Sequence, residues 1–234
     1  MEDVKTRSQA ERWRDFFEVL LLALSLALFL RTFILGFYRI STGNMAPTLR
    51  TGDFVWVSKI SYGFKVPFTS MRILEELPEK GDLVLFRYPD QTESVHIKRV
   101  VGLPGDHIFI HSHKIEINDH LIELVPIESS KFSGIMGFEF MNFYRETNGS
   151  KTYEVMYSQA SSVTKDIGPL IVPPGEVFLI GDNRDASDDS RYWGSVPMTH
   201  IEAEMKGIWF SFEFFNADSE KQYRVLWDRI KLIL

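Results

Sequence analysis

The chain has no cysteine in 234 residues, and that absence removes disulfide frameworks, thiolate nucleophiles and cysteine-ligated zinc together. It has no basic excess either. Its 26 lysines and arginines stand against 32 acids, a formal charge of -6, so the electrostatic footprint of a nucleic-acid partner is missing. No H-E-x-x-H sequence occurs, and His107, His111, His113 and His120 read as strand and turn residues rather than metal ligands. The acidic loop from Asp182 to Asp189 lacks the glycine that an EF-hand loop needs at its sixth position, which argues against calcium. No metal and no cofactor are expected. Internal repeats and low-complexity tracts are absent as well.

What is present begins with a long apolar segment. After a polar arm over residues 1–15, residues 16–38 are mostly apolar, interrupted by Ser25 and by Arg31-Thr32. About twenty helical residues cross a bilayer core. Arg31, near one end, can extend its side chain toward the head groups. A cleaved signal peptide would need small residues where Tyr38, Arg39 and Ile40 stand, so the segment reads as an uncleaved transmembrane signal anchor. Lys5, Arg7, Arg12 and Arg14 before it place the N-terminus inside and the remainder outside the cytoplasm.

Residues 39–234 are patterned as strands. Phe54-Val55-Trp56-Val57, Leu83-Val84-Leu85-Phe86 and His107-Ile108-Phe109-Ile110 each follow a Gly-Asp turn, and similar runs recur at 153–157, 177–180 and 208–214. Asn148-Gly149 between Phe143-Tyr144-Arg145 and Tyr153-Glu154-Val155 signals a hairpin. These runs predict a mainly β domain. Residues 65–80 and 158–169 read as surface loops, and Gln222 to Leu234 as a short helix with Val225, Leu226, Ile230 and Ile233 on one side.

Three stretches carry side chains suited to chemistry. In Ser41-Thr42-Gly43-Asn44-Met45-Ala46-Pro47-Thr48-Leu49, a glycine between small polar residues lets a hydroxyl and a backbone N–H point at one spot, as an oxyanion hole requires; read alone, it is equally a turn before a strand. In His96-Ile97-Lys98-Arg99-Val100-Val101, apolar neighbours surround Lys98, and desolvation would bring its amine toward the neutral, basic form; the alternative is a lysine on a solvent-facing strand. From Gly181 to Pro197, acids, arginines and serines crowd between two strands, and such groups are buried only as a mutual network.

In order and content these stretches resemble the boxes of bacterial type I signal peptidases, membrane-anchored serine/lysine proteases. Lys80-Gly81-Asp82-Leu83-Val84-Leu85-Phe86 and Gly181-Asp182-Asn183-Arg184-Asp185 extend the likeness over nearly the whole chain. The resemblance implies an all-β extracytoplasmic domain on a single-pass anchor in the inner (cytoplasmic) membrane. It implies contact with membrane lipid, and signal peptides of secreted preproteins as partners. It makes Lys98 the general base, Ser187 the group that orients it, and Asp189 with Arg191 the ion pair beneath. Thr42 and the Asn44 backbone N–H become oxyanion donors, while Ile40, Met45, Leu49 and Ile97 line pockets for small side chains.

One position departs from the family pattern. The family reads Ser-Gly-Ser-Met-x-Pro-Thr-Leu and this chain reads Thr-Gly-Asn-Met-Ala-Pro-Thr-Leu, so Asn44 stands where the nucleophilic serine belongs. An amide with a delocalised lone pair cannot replace that hydroxyl. The expectation is an impaired peptidase; the alternatives are a signal-peptide-binding paralogue and an enzyme that attacks through Thr42 or Ser41. The Asn44 side-chain oxygen is further expected to accept a hydrogen bond from Lys98 and favour its charged form.

Overall fold

The computed structural model describes residues 8–66, 69, 71–88, 91–132, 135, 137–160, 166–217 and 220–232. Residues 1–7 of the polar arm, parts of the two surface loops, and Ile233 and Leu234 lie outside the described residues.

The apolar segment forms a 25-residue α-helix, Gln9–Phe33, none of whose residues is buried. At ~1.5 Å per residue its length exceeds the ~30 Å hydrocarbon core of a bilayer. Ser8 caps it in a reciprocal capping box with Glu11, satisfying two N-terminal donors. At its other end Lys59 Nζ donates to the carbonyl oxygens of Arg31 and Thr32, at 3.1 and 3.0 Å, in the last turn where a cation is favoured. The helix ends earlier than the apolar composition suggests. Leu35–Arg39 is a strand paired with Asp53–Ser58, because its backbone donors are satisfied by a sheet edge rather than by the next helical turn.

The β structure is built on one nine-stranded antiparallel sheet. Its order is Leu35–Arg39, Asp53–Ser58, Ile201–Ala217, Leu83–Tyr88, Gln91–Gly102, Glu176–Ile180 and Val196–Pro197, with Glu220–Val225 and Lys231–Leu232 added onto Ile201–Ala217. Burial explains the composition of each strand. Asp53–Ser58 alternates buried and half-buried residues, whereas Leu83, Val84, Leu85 and Phe86 are all buried because both faces of their strand are covered. Leu83 and Leu85 pack with Val55, Val57 and Met205; Val84 and Phe86 pack with Val100, Val177 and Leu179. A four-stranded sheet around His107–His111 directs Ile108 and Ile110 inward. The histidines at 107 and 111 face out, and His113 sits in a left-handed turn at φ 70°.

The Gly-Asp turns are one device used three times. Gly52, Gly81 and Gly105 adopt φ of 99°, 93° and 87°, a region costly for residues with a Cβ. The following aspartate accepts the backbone N–H of Arg50, Glu79 or Leu103, three residues before it. Each aspartate is then held by a distant cation: Asp53 by Arg229, Asp82 by Lys151 and Asp106 by Lys80. The hairpin at Asn148-Gly149 forms between Met141–Asn148 and Lys151–Ser158.

The C-terminal stretch is not a helix. It forms the strand Glu220–Val225, a 3-10 turn at Trp227–Arg229 and the strand Lys231–Leu232. The long strand Ile201–Ala217 offers free edge donors to it, and the buried Arg229–Asp53 pair ties it down.

Candidate active site

Residues 41–50 form a loop closed at its neck by Ile40 and Gly52–Asp53 backbone bonds. Met45, Ala46 and Leu49 fix it to the interior: Met45 and Leu49 sink into the cluster around Val55 and Leu85, and Ala46 into a second one with Phe132, Phe143 and Met156. The hydrophilic half, Ser41 to Asn44, is left at the surface.

Lys98 comes from Gln91–Gly102, another strand of the same nine-stranded sheet. It lies opposite Val84 in register and two residues from Val100, and it is 1% exposed. Burial pushes its pKa down from 10.5 to about 8, against a partial upward pull from Asp189. Its amine donates to Ser187 Oγ at 2.6 Å.

The 181–195 loop presents Ser187 on a rigid frame. Asp189 is fully buried and accepts from Gly181 N at 3.0 Å and from Arg191 Nε and Nη2 at 2.7 and 2.8 Å. Burial alone would raise its pKa, but Arg191 and the backbone donors outweigh that and hold it below the usual value. Arg191 Nη2 also reaches the Ser187 carbonyl at 3.4 Å. The loop is bonded directly to the Asn44 loop. Asn183 N donates to Asn44 O at 3.2 Å, and Asn183 Nδ2 donates to Gly43 O at 3.1 Å. Beneath both, the buried Arg99–Asp182 pair at 2.6 Å fastens Thr48, whose hydroxyl donates to Asp182.

These elements enclose a cleft of about 450 Å³. Ser41, Thr42, Asn44 and Lys98 line it, as do Ile40, Met45 and Ile97. Ser187, Asp189 and Arg191 lie behind Lys98. Leu49 does not reach the cleft; it is fully buried and backs the wall by packing beside Ile40 and Met45.

A family model described as "Signal peptidase, peptidase S26" matches residues 13–210, which takes in most of the helix, the cleft and its supporting loop. The chain belongs to the signal peptidase family. Among its relatives, the signal peptidase I of Pseudomonas fluorescens is 34% identical over 86% of this chain and 72% of that protein. Those of Pseudomonas aeruginosa and Rickettsia bellii are each 32% identical, over 86% and 94% of this chain and 72% and 79% of theirs. A crystal structure of a signal peptidase I from Enterococcus faecalis V583 aligns at 24% identity with a TM-score of 0.34, covering 55% of this chain and 97% of that one.

Two features of this cleft were not legible in the residues. The Asn44 side-chain oxygen does not receive Lys98; it accepts the Thr42 hydroxyl at 3.0 Å, while the amine donates to Ser187. The cleft also has an aromatic end, formed by Tyr38, Phe86, Tyr88 and Trp193, with Ser94 and His96 beside it. Trp193 closes the short helix Ser190–Trp193, and a capping aspartate before a four-residue run ending in two aromatics was the available signal.

Proposed function

We propose that the chain is a single-pass inner-membrane protein that receives the signal peptides of exported preproteins in this cleft, and that it cuts them severely less than a serine-bearing relative. Its arm would lie inside, its apolar helix within the membrane, and the β domain from residue 39 onward outside. Exposed Phe37 and Trp209, stacked edge-to-face beside Phe54, give the β domain an aromatic surface suited to the interface.

The reading rests on one observation: a buried lysine, held by Ser187 over the Asp189–Arg191 pair, lines the same cleft as Asn44. With serine at position 44, neutral Lys98 would take the hydroxyl proton as the oxygen attacks the scissile carbonyl. Ser187 would keep the amine oriented. The Thr42 hydroxyl and the position-44 backbone N–H would hold the oxyanion, and the lysine would return the proton to the leaving amine. Water activated by Lys98 would then release the acyl group.

Asn44 interrupts this sequence twice. Its nitrogen lone pair is delocalised, and its oxygen takes the Thr42 proton that the oxyanion would need. Losing the nucleophile of a serine protease costs on the order of 10⁶ in turnover. A preprotein-cleavage assay of this chain beside its Asn44→Ser form tests the reading. Cleavage should appear on substitution and vanish again when Lys98→Ala is added; a folded Asn44→Ser protein with no gain in activity would sink it.

The apolar walls Ile40, Met45 and Ile97 favour a second, compatible role in holding the small-residue end of a signal peptide without cutting it. Contacts away from the reacting atoms supply much of substrate affinity. Photocrosslinking from the cleft to a preprotein should capture the signal peptide, and its absence from the adducts would count against this role.

A further inference from the structure

Behind the Asn44 loop lies a second cavity, of about 430 Å³, separate from the cleft. Pro47 and Thr48 line it, while Asn44 and Met45 line the cleft, so one loop divides the two. Its wall carries six cations, Arg50, Arg99, Lys131, Lys151, Arg229 and Lys231, against the carboxylates Glu154 and Asp228. In a chain of net charge -6 this concentration of one sign is local and built by the fold.

Four of the cations have partners. Arg99 is paired with Asp182, Lys131 with Glu154, Lys151 with Asp82 and Arg229 with Asp53. Arg50 and Lys231 form no ion pair among the described residues. Arg50 Nε is buried without a hydrogen-bond partner. A buried guanidinium N–H of this kind is costly, since buried donors are almost always satisfied.

We propose that this cavity binds a phosphate group, with Arg50 and Lys231 as the cations it neutralises and Arg229 and Lys131 completing the positive wall. A tetrahedral anion offers acceptor oxygens in several directions, matching donors that converge from a loop, two 3-10 turns and a strand, and a guanidinium fork is suited to two of them. The electrostatics agree. Burial and then the nearby Arg229 lower the Arg50 pKa to about 10, and burial followed by Arg229 lowers that of Lys231, with Glu154 opposing. An anion between them relieves this mutual repulsion. The group can come from free phosphate or from the head group of an anionic lipid.

The test uses the full chain in zwitterionic detergent at fixed ionic strength. Thermal unfolding is followed against inorganic phosphate replacing chloride, and separately against a short-chain phosphatidylglycerol with the matching phosphatidylcholine as control. A saturable rise in Tm that is lost in Arg50→Gln and weakened in the exposed Lys231→Gln is the expected result. Response to phosphate identifies the free anion, and response to phosphatidylglycerol alone identifies the lipid head group. Ligand should also protect Lys231, but not the exposed Lys114, from amine acetylation read by peptide mass spectrometry. If neither ligand shifts Tm, or if wild type and Lys231→Gln shift equally, the proposal is overturned. Because the assay reads no cleavage, its outcome is independent of the role of Asn44.

Discussion

A lysine opposite Val84 loses the water that stabilises its charge, and Ser187 returns only one hydrogen bond. The fall in the Lys98 pKa from 10.5 to about 8 is equivalent to about 3 kcal/mol of destabilisation of the charged amine in the folded state. The sign follows from proton counts. Below pH 8 the amine is protonated folded and unfolded, so the full cost applies; between 8 and 10.5 the unfolded state binds more protons, and stability rises with pH. Lys98→Met, similar in volume and without charge, should therefore raise stability at pH 7 by about 2–3 kcal/mol. That advantage should shrink to near zero by pH 10.5. Thermal unfolding of both proteins across this range checks it, and a Lys98→Met protein no more stable than wild type at neutral pH would show that the amine is not desolvated. The same residue shows why function opposes stability here. On the proposed reading that Lys98 is the base, an amine held near neutrality is a charge the fold would be steadier without.

At the scale of elements, the site depends on how closely two loops approach. A Cβ on Gly181 would lie 2.2 Å from Ser187 Oγ and 2.6 Å from the Asn44 carbonyl oxygen. Rotation could move the serine hydroxyl but not its Cβ, which is also 2.6 Å away, and the carbonyl belongs to backbone already bonded to Asn183. Gly181→Ala must therefore push the Asn44 loop away from the 181–195 loop. A displacement of about 1 Å between reacting groups costs on the order of 10² in rate. In the Asn44→Ser background, Gly181→Ala should lower cleavage by at least about 10²-fold. It should also cost about 1–3 kcal/mol in stability. Unchanged cleavage and Tm would mean that the contact is not tight. This glycine's role was not legible in the sequence: it stands before Asp182 like the turn glycines, yet it has no left-handed φ, and only the packing of a sequentially distant loop explains it. Gly52, Gly81 and Gly105 carry the same following aspartate but differ in adopting a left-handed φ, so the Gly-Asp pair alone does not separate the two roles.

Across the whole molecule, the helix and the β structure are nearly independent. No residue of Gln9–Phe33 is buried, and its links to the rest include the stacking of Phe33 on Phe64 and the two carbonyl contacts from Lys59. A shortened chain of residues 34–234 should keep its β signature by far-UV circular dichroism and unfold cooperatively within a few degrees of the full protein. Loss of cooperative unfolding would make the helix part of the folding unit. The exposed apolar helix cannot remain in water, so the full chain should fractionate with membranes while the shortened one is far less tightly held.

The sequence by itself determined the local and the periodic. The apolar run, the Gly-Asp turns, the Asn148-Gly149 hairpin, and strands such as Leu83–Tyr88 and Glu176–Ile180 are encoded within a few residues, because turn chemistry and side-chain alternation are properties of neighbours. The boxes around Asn44, Lys98 and Ser187 were likewise readable as separate stretches. Tertiary structure decided what depends on distant partners. It ended the helix at Phe33 by offering Leu35–Arg39 a sheet edge, and it made the C-terminus a strand by pairing it with Ile201–Ala217. It withdrew Leu49 into the core, turned Thr42 toward Asn44 and gave Lys98 to Ser187. Hydrogen bonds and desolvation are settled by which groups arrive together in space, and residues 98 and 187 meet only when Glu176–Ile180 pairs with Gln91–Gly102.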